Sequence, residues 1–76
     1  MTETKVSLQT FGDVQEFVNI LITFGFDIDL VSGRYIVDAK SIMGIYSLDL
    51  TKPIILKAHT EDAEELFAAI DKYIVK

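Results

Sequence analysis

The chain has no cysteine, one histidine, one proline and four glycines in 76 residues. Without cysteine, neither disulfides nor thiolate metal sites can form, which fits a reducing compartment. Cations are also few. Seven Lys and Arg face twelve Asp and Glu, for a net charge of −5. The seven are scattered as Lys5, Arg34, Lys40, Lys52, Lys57, Lys72 and Lys76. Phosphate-backbone binding needs clustered Lys and Arg, so neither nucleic acid nor an anionic membrane is expected as a partner. No apolar run approaches the roughly 20 residues that span a bilayer. The opening "MTETKV" has no basic segment followed by an apolar one, so no leader is expected and a cytoplasmic location is.

What is abundant is apolar surface, at half of the residues. A chain of this length buries only about 60% of the surface its unfolded form exposes, so a single domain over residues 1–76 needs that density. "KVSLQT" alternates as a half-buried strand. Asp13 followed by Glu16 reads as a capping box. Val14, Phe17, Val18, Leu21 and Phe24 then run at helical spacing towards a stop at Gly25. "FDIDLVS" and "RYIVD" are two further strands joined by a turn at Ser32-Gly33. Ser41 opens a short helix to about Leu48. Pro53 opens a fourth strand, "IILKAH", where it loses no ladder bond. Thr60 caps a last helix with Glu61 and Asp62 in its first turn and Ala63, Leu66, Phe67, Ile70 and Ile74 as its buried stripe. The order βαββαβα implies an α+β open-faced sandwich, with a four-stranded antiparallel sheet and helices on one face.

Candidate chemistry is sparse. Asp27, Asp29, Asp38 and Asp49 are dispersed. They have neither the alternating acids of a calcium loop nor a cleft for acid–base work, so no metal, cofactor or enzymatic activity is expected. Alternation places Asp27 and Asp29 on one sheet face as solvated residues without a histidine beside them. The short helix is the denser feature. Ile45 and Leu48 are spaced to face the sheet, which leaves Ile42, Met43 and Tyr46 pointing outward as a patch for a protein partner. Ser41 reads first as an N-cap, a position serine favours by roughly 1 kcal/mol.

The segment "KSIMGIYSL" and the element order resemble HPr, the histidine-containing phosphocarrier of the bacterial sugar phosphotransferase system. The resemblance runs from Val6 to Ile74. Phe24, Ile28, Leu30, Val37, Leu48, Leu56 and Ala58 fall where that family keeps apolar residues. The resemblance implies the HPr fold and a second role for Ser41, as the regulatory serine phosphorylated by a dedicated kinase, with Lys40 adding attraction. It also implies that Ile42, Met43 and Tyr46 dock on partners such as an HPr-type kinase, a regulator or a phosphotransferase component.

The carrier site departs from the family. The phosphorylated histidine of a "HARPA"-type segment falls on Thr10, the arginine on Gly12 and the proline on Asp13, within "TFGDV". Imidazole makes a labile phosphoryl bond near neutral pH, whereas a threonine hydroxyl makes a stable ester. Gly12 cannot balance phosphate charge and Asp13 would repel it. His59, at the far end of the fourth strand, is expected at the opposite edge from Thr10 and cannot substitute. The first helix shows Gln15, Glu16, Asn19, Ile22 and Thr23 on the face that the family makes basic, which disfavours acidic partners. The expected function is a regulatory interaction module of the HPr family with no catalytic residue. The alternatives are a phosphocarrier with residual transfer and, less favoured by the composition, a small-molecule sensor.

Overall fold

The computed structural model describes residues 1–75. Strands β1 (Thr2–Val6), β2 (Ile28–Ser32), β3 (Tyr35–Asp38) and β4 (Ile54–Ala58) form one sheet in the order β1-β4-β2-β3, with every neighbour antiparallel. Helices α1 (Phe11–Leu21), α2 (Ile42–Tyr46) and α3 (Glu64–Ala69) complete the βαββαβα order, with a 3₁₀ turn at Asp71–Tyr73 after α3. The register puts Val6, Ile54, Leu56, Ala58, Ile28 and Leu30 on the covered face, all buried. The other face carries Lys5, Ile55, Val31 and Ile36 in one cross-strand row and Glu3, Lys57, Asp29 and Asp38 in the next. The expected open-faced sandwich is the observed architecture.

Helix α1 begins differently from expectation. Thr10 is the N-cap, and its hydroxyl accepts the Asp13 N–H at 3.0 Å. Asp13 is the third helical residue and closes the box from the other side, so Asp13 with Glu16 is not the cap. Glu16 is instead drawn to Lys72 and Tyr73 near the C-terminus. Nor does Gly25 end the helix in a left-handed conformation, since Gly33 alone has positive φ among the described residues. The helix stops at Leu21, and the chain tightens through Thr23 N–H to Ile20 and Phe24 N–H to Leu21. Phe24 therefore lies past the helix, half-buried and 5.7 Å from the Phe26 ring.

Helix α3 starts later than Thr60. Thr60 accepts the Asp62 N–H, and Asp62 in turn accepts the Glu64 N–H at 3.0 Å, so two stepped turns precede the helix. Glu64 and Glu65 occupy its first turn. Ile74 is not part of the helical stripe but bridges Val6 in extended conformation. The turn between β2 and β3 has Gly33 at φ +60 followed by Arg34 at negative φ, the φ pattern of a type II′ hairpin.

Candidate docking face around the second helix

Four α1–α2 features converge beside the N-terminus of α1. Thr10 is held by its own capping box, and the Asp13 carboxylate accepts both the Gln9 N–H (3.0 Å) and the Thr10 N–H (3.3 Å). A carboxylate thus already stands beside the Thr10 backbone at the positive end of the helix. Gly12, where the resemblance led to the expectation of an arginine position, is exposed on the first turn. Phe11, between Thr10 and Gly12, projects outward and is 74% exposed. Its ring meets the Tyr46 ring edge-to-face, with centroids 5.2 Å apart at 75°. Gln9, Thr10, Phe11, Tyr46 and Leu50 line a shallow groove of ≈ 300 Å³.

Helix α2 forms the other wall. Ser41 is its N-cap, exposed, with the hydroxyl accepting the Gly44 N–H at 3.2 Å. Glycine at 44 permits a close approach, since a Cβ there would lie 3.3 Å from both the Ser41 hydroxyl and the Val37 side chain and one of them would have to give way. The close approach seats the helix on β3 and buries Ile45, while Leu48 is buried just beyond the helix. The outward trio divides. Met43 is 75% exposed, but Ile42 and Tyr46 are half-buried against the core. Met43 and Phe11 are therefore the freest apolar side chains of this face. Phe11 escaped the sequence reading. Its signal was an apolar residue directly ahead of the α1 stripe and out of phase with it.

Lys40 does not reach towards Ser41's open side. Its ammonium donates to the Phe24 carbonyl at 2.7 Å and the Phe26 carbonyl at 2.9 Å, so the charge anchors the α1–β2 loop. The outer face of α1 holds Gln15, Glu16 and Asn19, and Ile22 and Thr23 follow just past its end, all exposed. Lys72 does bring one cation to it, 2.7 Å from Glu16.

His59 follows β4, whose antiparallel pairing places Ala58 opposite Thr2 and Ile54 opposite Val6. It thus stands at the start of β1, the far end from Thr10. The expectation that no histidine accompanies the strand carboxylates is overturned, because His59 Nε2 lies 2.8 Å from Asp29 Oδ2. The pairing of β2 with β4 brings the two together, which sequence spacing did not reveal. Among the described residues no cluster of three or more His, Cys, Asp or Glu could hold a metal, and no helix is long and apolar enough to cross a membrane.

The family model for the PTS HPr component phosphorylation site matches residues 14–76. The chain belongs to the HPr family. HPr proteins are phosphocarriers of the phosphotransferase system, not enzymes, and they interact with its components. HPr-C-His from Thermoanaerobacter tengcongensis superimposes with a TM-score of 0.79 and 28% identity, over 95% of this chain and 89% of that one. The phosphocarrier protein HPr from Bacillus anthracis str. Ames gives a TM-score of 0.74 and 28% identity, over 97% and 96%. No curated protein sequence matches the chain. The HPr match begins at Val14, after Thr10, Gly12 and Asp13.

Proposed function

We propose that this HPr-family chain is a cytoplasmic regulatory module without the carrier histidine, presenting α2 and the adjoining Phe11 to a protein partner. The closed capping box at Thr10 carries the reading. The Thr10 hydroxyl is committed as a helix cap, and the Asp13 carboxylate accepts the Thr10 N–H, so a negative charge already stands beside Thr10. A phosphate at Thr10 would meet like charge at close range and form an ester too stable to pass on. Incubation with phosphoenolpyruvate and enzyme I should therefore give no acid-labile phosphate. Uptake of such a phosphate would establish residual carriage instead.

Ser41 is the regulatory residue in this reading. Its hydroxyl is exposed and caps a helix whose apolar side chains border it, so a charge placed there alters the docking face directly. An HPr-type kinase with ATP should add one phosphate, and Ser41→Ala should abolish the addition. Ile42, Met43 and Tyr46 form the contact together with Phe11, and Lys40 braces the loop beneath them. Because Tyr46 is half-buried, the clean surface test is Phe11→Lys with Met43→Lys. That variant should keep its melting temperature within a few degrees and lose the partner. A retained partner would place the contact elsewhere.

A further inference from the structure

The two edges of the sheet are unequal. Beside β1, the chain after α3 returns, with Ile74 bridging Val6 and the Val75 N–H donating to Lys5 at 2.9 Å. Beside β3 no strand pairs among the described residues; the Ser41 N–H donates to the Asp38 carbonyl at 3.0 Å at its end, and the rest of the edge is open. Two adjacent large apolar residues are exposed there, Tyr35 at 70% and Ile36 at 67%.

The ladder determines which backbone groups face outward. The Ala39 N–H donates to the Ile28 carbonyl at 2.9 Å, so Ile28 and Ala39 are a hydrogen-bonded pair. Antiparallel alternation makes Leu30 with Val37 and Ser32 with Tyr35 the next such pairs, and Val31 with Ile36 a non-bonded one. The N–H and C=O of Ile36 consequently point away from β2, towards the vacant edge.

From this edge we infer that the chain associates with a second copy of itself through antiparallel β3–β3 pairing, with the two-fold axis at Ile36. The register is self-complementary. Ile36 faces Ile36 of the copy and exchanges two backbone hydrogen bonds with it. Tyr35 faces Val37, and Arg34 faces Asp38, twice by symmetry. The charges fit. Arg34 makes no ion pair among the described residues. Asp38 stands directly opposite Asp29 in the ladder, and one of its oxygens accepts the Lys40 N–H while the other takes no partner among the described residues. Asp29 has His59, but Asp38 has no cation of its own among the described residues. The copy's Arg34 supplies one. The apolar row Ile55, Val31 and Ile36 on the open face would continue across the axis into its own image. The partner is thus another copy of this chain rather than an unrelated peptide. The docking face around α2 stays free, so the pairing does not depend on that proposal.

A four-residue edge is short, so the association should be weak and concentration-dependent, well below a standard interface in area. Sedimentation of the full chain up to about 1 mM should show the mass doubling with concentration, and a monomer throughout overturns the inference. In the unmodified chain the Ile36 amide should exchange more slowly as concentration rises, and an unchanged Ile36 overturns β3 as the interface. Ile36→Lys puts like charges on the axis and should abolish dimers, and persistence of dimers refutes the register. Arg34→Asp and Asp38→Arg should each raise the dissociation constant about tenfold. Mixing the two should restore pairing, because each then meets an opposite charge. Failure to restore it overturns the Arg34–Asp38 contact.

Discussion

The Tyr73 hydroxyl donates to Glu16 Oε2 at 2.6 Å, tying the last described turn of the chain to the middle of α1. Lys72 donates to both oxygens of the same carboxylate, at 2.7 and 2.8 Å. The Tyr73 ring lies edge-on to Phe17 in the core, 5.7 Å between centroids. One exposed glutamate thus connects a surface ion pair to a buried aromatic.

That connection makes stability depend on pH at both ends. The hydrogen bonds from Lys72 and then Tyr73 hold the Glu16 carboxyl below its ordinary 4.5. A lowered folded-state value means that the stabilisation is present above 4.5 and is lost as pH falls through the folded value. Burial, and next the Glu16 carboxylate, push the Tyr73 hydroxyl well above its usual 10.0, so its contribution is intact below pH 10 and fades above it. Melting temperatures of Glu16→Gln should lose the part of the acid decline that Glu16 causes, and those of Tyr73→Phe the corresponding alkaline decline. Both variants should melt below the parent at pH 7.

The capping box at Thr10 should behave as a coupled pair. Thr10→Ala should cost about 1 kcal/mol and Asp13→Ala a similar amount. The double variant should cost less than the sum by about 0.5 kcal/mol or more, because each single change already opens the box. Urea unfolding of the four proteins measures this directly.

Two helical glycines should respond oppositely to alanine. A Cβ at Gly12 would meet only the Thr10 hydroxyl, at 3.7 Å, so Gly12→Ala should gain about 0.5 kcal/mol. A Cβ at Gly44 would press on Ser41 and Val37 at 3.3 Å. Gly44→Ala should fall short of Gly12→Ala by about 1 kcal/mol, in chemical denaturation, as the packing of α2 on β3 loosens.

Lys40→Met should cost about 1–2 kcal/mol, since it removes two charge-assisted hydrogen bonds to carbonyls that have no other donor among the described residues. Amide exchange should rise first between Thr23 and Asp27, the loop those bonds hold.

Much of this was legible from periodicity. The alternation of Val6 with Leu8 and of Ile28 with Leu30, and the α1 stripe of Val14, Phe17, Val18 and Leu21, all proved to be core. Ser41 caps α2 as its residue type suggested. The misreadings share a physical origin. Asp13, Gly25 and Thr60 each carry a local signal, and in each case another group took the role. Thr10 caps α1, tight backbone bonds from Thr23 and Phe24 close its far end before Gly25, and Asp62 receives the α3 N–H.

Sequence alone determined the strand and helix faces, because burial follows a period of two or 3.6 residues whatever the partners. It also determined the HPr likeness of "KSIMGIYSL". Tertiary structure decided the pairs that are distant in the chain: Glu16 with Tyr73, Asp29 with His59, Phe11 with Tyr46, and Lys40 with the Phe24 and Phe26 carbonyls. It also decided which sheet edge is left open. Such contacts depend on how strands and helices are ordered in space, and no local pattern of residues encodes that order.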